Sequence, residues 1–324
     1  MKAVLDTLTP VFLMIALGVV LRWTRRLSDE TLRGMSWLVF WVGLPAMLFC
    51  DVAGIDNPAA GRSDADFHRQ FQIFLLGFSG LVACLVAGYA VAAALRMERR
   101  QMGTFVQAAF RGNLAYIGLP VIQYAFTSLA GEDAGRLARR DAALALAPII
   151  MLYNFTAVIV LLAGQHQMSA RTLARMGWRI ITNPLILACG AGLIWSSAGW
   201  RVPRPAASTL RILSGTALPL ALITAGAAIA TTKISGQLLY TGLGTALKGV
   251  LAPIVGCAIA IPLHVPPREM FIGLLLLACP TAVTAYVMAE NMKGDGPLAA
   301  QIIVVSTLFS IVGFAVVILC FGHA

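Results

Sequence analysis

Two stretches hold most of the side chains with which this 324-residue chain could handle a ligand. They are Arg111-Gly112-Asn113-Leu114-Ala115-Tyr116-Ile117-Gly118-Leu119-Pro120 and Ala278-Cys279-Pro280-Thr281-Ala282-Val283-Thr284-Ala285-Tyr286. Each sets a proline and hydrogen-bonding side chains in the middle of a segment long and apolar enough to cross a bilayer. Proline lacks the amide hydrogen and clashes with the carbonyl one turn back, so a spanning helix must kink or break there. Backbone groups freed in lipid persist only where protein or a watery cavity covers them. Two such breaks, in corresponding positions of two halves, point to a carrier's binding site at the membrane midplane. No Walker-type phosphate loop, zinc motif or nucleophile elbow accompanies them. The chemistry on offer is reversible binding, with neither catalysis nor a cofactor implied.

Each candidate has a second reading. The Asn113 carboxamide can donate to a carboxylate without carrying charge, so it can bind an organic anion and still release it; it can equally satisfy the broken helix's own backbone. Tyr116 joins it as a candidate substrate contact. Pro120 and Pro280 are breakers, with Pro45 and Pro219 as further points of bending or gating. Half-helix N-termini at the breaks would turn amide hydrogens and a positive dipole end toward an anion. Thr281 and Thr284 follow Pro280 within about a turn and could line the same cavity, although threonine in a spanning helix more often bonds back to its own carbonyl. Asn154 offers a second amide near mid-membrane, or a link between helices. Ser306, Thr307 and Ser310 are weaker candidates. Lys248, in mid-helix at a cost of about 3 kcal/mol, either attracts anions or braces a carbonyl freed by Pro253. Arg111 is similarly divided between structure and a cytoplasmic anion funnel. Asp51 and Glu290 lie near helix ends, so no proton relay of buried acids is visible.

The elements that must position these residues follow from composition. The chain is 59% hydrophobic and 12% charged, with mean hydropathy +0.83, where soluble domains carry about 25% charged residues. At about 20 apolar residues per span, it divides into ten segments: 4–22, 33–52, 71–95, 103–127, 141–163, 183–198, 207–231, 236–261, 270–290 and 297–321. Connections are short, so the fold class is a polytopic all-α membrane protein without a separate soluble domain. The first segment ends in Arg22-Trp23-Thr24-Arg25-Arg26 with no cleavage pattern and reads as a retained helix.

The net charge of +10 follows from positive loops rather than from a nucleic-acid partner. Clusters at Arg22, Arg25, Arg26 and Arg33, at Arg96, Arg99 and Arg100, and at Arg171, Arg175 and Arg179 follow odd-numbered segments. That side should be cytoplasmic, with both termini outside the inner membrane, although Arg136, Arg139 and Arg140 among others make the margin thin. The six cysteines are small packing residues, and the four histidines lie in loops or at the tail, without metal-ligand spacing.

A weak repeat organises the chain. Val42-Gly43-Leu44-Pro45 in the second segment answers Thr216-Ala217-Leu218-Pro219 in the seventh, and the break in the fourth answers that in the ninth. Residues 1–164 and 183–324 thus form two five-helix halves, inverted because five is odd. The connection 165–182 carries Arg171, Arg175 and Arg179 four apart, as an amphipathic helix on anionic lipid headgroups would. A homodimer is left open.

At these motifs the chain resembles the auxin efflux carrier family, which includes plant auxin exporters and bacterial malate or malonate permeases. The matching pieces are Gly43-Leu44-Pro45, Arg111 through Pro120, Ala217-Leu218-Pro219 with Gly226, Lys248 through Pro253, Pro280 through Ala289, and Leu298-Ala299-Ala300 with Ser306, Thr307 and Ser310. The resemblance implies ten helices in two inverted repeats, as in bile-acid symporter-like folds, with helices four and nine crossed. It places Asn113 where the family has an asparagine before the first crossover proline. The family's usual proline after Ser310 is missing, which predicts a straighter end to the last helix.

Energetics set the expected direction. One charge crossing 100 mV is worth about 2.3 kcal/mol, so an inside-negative cell expels an organic anion unaided. The expectation is potential-driven export of small carboxylates, with sodium- or proton-coupled dicarboxylate uptake as the alternative.

Overall fold

The computed structural model describes residues 2–55, 64–163, 178, 182, 184–231 and 236–322. Its helices are α1 (Lys2–Trp23), α2 (Asp29–Leu38), α3 (Leu44–Ala53), α4 (Asp64–Ala94), α5 (Arg99–Phe110), α6 (Leu119–Ala130) and α7 (Glu132–Ala163). After these come α8 (Pro184–Ser197), α9 (Arg204–Ala230), α10 (Leu238–Ala246), α11 (Ala252–Ala260), α12 (Pro267–Leu277), α13 (Thr284–Asn291) and α14 (Gly296–Phe321). Among the described residues, six stretches are long and apolar enough to cross a membrane: α1, α2 with α3, Phe67–Ala94, α9, α10 with α11, and α14. A seventh is α7, whose halves Glu132–Leu146 and Pro148–Ala163 meet at 40°, a bend that Pro148 accounts for. The amphipathic helix expected over 165–182 lies outside the described residues, Trp178 and Thr182 apart.

Local chemistry sets the helix ends. The Ser28 hydroxyl accepts from the Thr31 amide at 3.1 Å, and Asp29 and Glu30 occupy the first turn of α2, where the dipole favours acids. Asp295 accepts from the Leu298 amide at 3.0 Å to start α14. Gly54, at φ 70°, closes α3 in the left-handed region that glycine adopts most easily.

Three prolines share one device. Val39–Gly43, Leu114–Gly118 and Leu247–Leu251 are single π turns, lying just ahead of Pro45, Pro120 and Pro253. Proline supplies no amide to the carbonyl four residues back. Widening the preceding turn to five-residue bonds keeps the backbone paired, and π bulges inside helices do this. The expected bending point at Pro45 is therefore an intact span with a bulge. Pro219 does not interrupt its helix either, because α9 runs unbroken through it. Pro120 also sits inside a helix, and the chain breaks upstream of it at Arg111–Asn113.

A second correction concerns charge. Arg136, Arg139 and Arg140 are not loop residues: α7 begins nine residues before the expected segment and carries all three. Its apolar part is the spanning portion, while its first turns bury Arg140 and Asp141 against the rest of the bundle.

The helices sort into two groups by contact. In the first, α9 packs on α1, α2 and α3, and α8 on α3; α4 to α7 and α10 to α14 form the second. The groups meet where α1 passes α6 and α14 and where α3 passes α7. Glycine permits the closest approach in the first group. A Cβ at Gly226 would lie 1.9 Å from the Ile15 carbonyl oxygen, and one at Gly18 would lie 2.1 Å from that of Ile223. The membrane supplies no hydrophobic drive between helices, so such small-residue contact is a main source of association. Exposed Leu13, Trp23, Trp41, Val86, Ile194 and Ile212 leave an apolar exterior suited to lipid.

Gly226→Leu should therefore separate α1 from α9 and lower the thermal unfolding midpoint in detergent, by an overpacking penalty of about 1–3 kcal/mol or more. Gly215→Ala, on the same helix with open space at its Cβ, should leave the midpoint in place. Equal midpoints for the two variants would show that this contact does not hold the groups together.

Candidate functional site

The break after α5 and the break after α12 repair one another. The Asn113 amide donates to the Pro280 carbonyl at 2.7 Å, and the Ala282 amide donates to the Arg111 carbonyl at 2.8 Å. Gly112 and Thr281 form an antiparallel bridge between them. Two extended tripeptides thus cross in the protein interior, each serving as the other's strand partner. Side chains satisfy what remains. The Ala108 carbonyl, one turn before the first break, accepts from the Thr281 hydroxyl at 2.8 Å. The Leu277 carbonyl, one turn before the second, accepts from Lys248 Nζ at 2.6 Å. The Thr281 amide donates to Ser306 Oγ at 3.0 Å.

Glycine at 112 lets the crossing pack closely against two side chains. A Cβ there would meet Leu114 Cδ2 at 2.7 Å and Lys248 Cε at 3.2 Å, so the lysine stem runs directly beneath the crossing. The π turn from Leu114 then restarts the helix, with the Asn113 carbonyl accepting from the Ile117 and Gly118 amides at 3.1 and 3.2 Å.

Beside the crossing lies a cavity of about 180 Å³. Its polar wall is Arg111, Gly112, Asn113 and Thr284, with Asn154 from α7 opposite. Leu114, Ala115 and Tyr116, the first turn of the restarted half-helix, line it as well, which turns a positive dipole end toward its contents. Phe40 and Leu185 from the first helix group close it against Ile150 and Tyr153 from the second. The cavity thus lies between the two groups. No acidic side chain lines it.

Arg111 is buried, at 7% exposure. Its Nη2 donates to Asn154 Oδ1 at 2.5 Å and its Nη1 to the Met288 sulfur. Asn113 is 6% exposed, and its Nδ2 has no hydrogen-bond partner, a costly state for a buried donor. An acceptor entering the cavity could relieve it.

The expected site residues therefore divide. Arg111, Asn113, Tyr116, Asn154 and Thr284 converge on the cavity. Thr281 and Lys248 belong to the crossing and give their polar atoms to carbonyls; the carbonyl braced by Lys248 is that of Leu277, on another helix, rather than one freed by Pro253. Pro280 contributes its carbonyl to the crossing, Pro120 starts α6, and Pro45 and Pro219 are not among the residues lining the cavity. Ser306 has a role as acceptor at the crossing, while Thr307 and Ser310 bond back to their own helix. The sequence reading passed over Met288, Phe40, Leu185 and the buried Gln107, whose Nε2 donates to the Ala285 carbonyl at 2.9 Å. A glutamine within the apolar second half of α5 is the available signal for the last.

Comparison with known proteins finds similarity to membrane transport proteins. The family described as membrane transport protein matches residues 3–318. A protein of Methanothermobacter thermautotrophicus named an uncharacterized transporter is 24% identical over 308 residues, which is 95% of each chain.

Replacing Lys248 by methionine keeps the stem's volume and leaves the Leu277 carbonyl unpaired in a dry interior, at a cost of about 1–3 kcal/mol. The detergent unfolding midpoint should fall accordingly. Thr284→Val, at the cavity surface, should barely move it. A Lys248→Met midpoint equal to wild type would remove the lysine from the crossing's support.

Proposed function

Since the chain belongs to the membrane transport protein family, that of the auxin efflux carriers, we propose that it is a secondary carrier exporting small organic carboxylates by alternating access. The observation that carries this reading is the cavity beside the crossing, furnished with a guanidinium and an unpartnered amide and lined by no acid. Neither a catalytic constellation nor a cofactor motif accompanies it in the sequence.

The architecture we infer is ten passes in two inverted five-helix repeats, residues 1–164 and 183–324, joined by the connection 165–182. Contacts between repeat-related motifs support it. The Gly43 motif packs on its counterpart, where a Cβ at Gly43 would lie 3.2 Å from Ala217 Cα. The break in α5–α6 bonds to that in α12–α13. Elements beside an internal two-fold axis meet their own mates in this way. Counting α5–α6 and α12–α13 as one broken pass each, and α7 and α8 as one each, completes the ten.

Alternating access follows from rocking the second helix group against the first. On one side of the cavity, Leu44 and Leu48 of α3 face Leu119 and Leu146 across an apolar seam. Beyond it, Arg139 of α7 clasps Asp51 of α3 at 2.6 and 2.9 Å and donates to Gln123 at 2.7 Å. From Phe40 to Asp51 is eleven residues, about 16 Å along a helix. Seam and ion pair together form a gate at the end opposite the Arg22 and Arg96 loops. With those loops cytoplasmic and both termini outside, this gate is the outer one.

Uncoupled export suits the electrostatics. The buried acids Asp51, Asp141, Glu269 and Asp295 are all engaged: arginines sit within 4 Å of the first three, and Asp295 caps α14. Among the described residues none of these lines the cavity. Coupled dicarboxylate uptake stays the competing reading, since hydroxyls and carbonyls of the crossing are the kind of ligands sodium takes.

Two experiments test the proposal. In proteoliposomes at a clamped potential, carboxylate flux should be saturable and follow the potential, and Asn113→Ala should raise apparent KM severalfold without shifting the unfolding midpoint. Uphill accumulation that tracks a sodium or pH gradient at zero potential would replace export by symport. Asp51→Asn should loosen the gate, increasing maleimide labelling of the buried Cys50 and Cys189 in a Cys320→Ser background. Labelling as slow as in the parent would exclude this ion pair as a gate.

A further inference from the structure

The Arg111 guanidinium is held differently from those of Arg139 and Arg268. Arg139 faces the Asp51 carboxylate and Arg268 the Asp141 carboxylate, at 2.6 Å each. Arg111 faces an amide oxygen and a thioether sulfur. An arginine stays charged in any protein environment, and a buried cation without an anion is costly. Met288 is a weak acceptor. Neither partner supplies the paired oxygens that a guanidinium fork matches.

We propose that Arg111 is the direct partner of the transported carboxylate, that Asn154 and Met288 occupy its donors only while the carrier is empty, and that the site thereby selects anions bearing one charge. This rests on the carboxylate-transport reading and sharpens it. A carboxylate entering the cavity takes the two Nη groups as a bidentate, charge-assisted pair. The desolvation of the arginine is already complete in the empty state, so binding gains an anion without first burying a cation. Asn113 supplies the independent second indication, because its buried Nδ2 lacks an acceptor in the same cavity.

Selectivity by valence follows from what the cavity contains. Among its described lining residues Arg111 is the one full charge; Phe40, Leu114, Ile150, Leu185 and Val283 are apolar, and Asn113, Asn154 and Thr284 are neutral. Lys248, the other buried cation near the crossing, is committed to the Leu277 carbonyl and does not line the cavity. A second carboxylate on the substrate would meet neutral amides, hydroxyls and apolar surface, with no counter-charge. A volume of about 180 Å³ is also below the roughly 300–1,000 Å³ of pockets for drug-sized ligands. The preferred cargo is a small monocarboxylate with an apolar body.

The test uses the full chain in proteoliposomes, with labelled butyrate as cargo and butyrate, lactate and succinate as competitors at neutral pH. Butyrate and lactate should compete at least tenfold better than succinate. Arg111→Gln should raise apparent KM for butyrate at least tenfold and flatten the discrimination against succinate. Arg111→Lys, which keeps the charge and loses the fork, should fall between. Asn154→Ala, by releasing the guanidinium, should lower apparent KM. Succinate competing as well as butyrate on the wild-type carrier would overturn the valence rule without recourse to any variant. Butyrate flux with an unchanged KM in Arg111→Gln would remove the arginine while leaving carboxylate transport standing. Absence of saturable flux for every carboxylate tried would overturn both.

Discussion

A polypeptide cannot expose unpaired amides and carbonyls to lipid, and this chain breaks two of its helices in the interior all the same. The exchange of hydrogen bonds between Asn113 and Pro280 and between Ala282 and Arg111 makes that possible. Each extended stretch serves as the other's strand partner, so neither break is stable without its mate. The remaining carbonyls, at Ala108 and Leu277, need donors at fixed points, and Thr281 and Lys248 provide them. Gly112 eases the same close approach, because a side chain there would crowd Leu114 and the lysine stem.

What the crossing gives in return is a rigid polar patch inside an apolar protein. The half-helix restarting at Leu114 points its positive end into the cavity, and the extended backbone carries Arg111 and Asn113 to its wall. A site built on a loop would have the polarity without the rigidity; one on an intact helix would have its amides already bonded. The broken helix supplies donors in the protein interior while α5 and α6 on either side remain ordinary hydrogen-bonded helices.

The contact between the helix groups has a different character. The first group is joined by glycine contacts at Gly18 and Gly226, where backbones nearly touch. The groups face each other through leucine side chains and, at the end, through Asp51 and Arg139. Close backbone packing tolerates little sliding, whereas a leucine seam with an ion pair at its edge can separate and re-form. This division of rigid bodies from a yielding seam is the mechanical basis on which the proposed alternating access rests.

The sequence by itself determined the membrane character and helical class, because a bilayer admits only internally bonded backbone and hydropathy reports this directly. It also singled out the two stretches that contain the breaks, although it assigned the first to Pro120 rather than to Arg111–Asn113, and drew attention to Arg111, Asn113 and Asn154 as polar atoms in an apolar setting. It misjudged the prolines. Pro45 and Pro120 follow π turns and Pro219 lies in an unbroken helix, because the carbonyl left by a proline can be served by a wider turn or by neighbouring groups, which local sequence does not reveal. Arg136, Arg139 and Arg140 looked like loop charges until α7 placed them on its first turns, with Arg139 against an acid 88 residues away. The tertiary structure alone decided which polar side chains are free. Thr281 and Thr284 lie three residues apart on one stretch, yet one is buried on a carbonyl of α5 and the other lines the cavity. That difference depends on what crosses the chain at that point, and the crossing partner lies some 170 residues away in the sequence, beyond the reach of any local pattern.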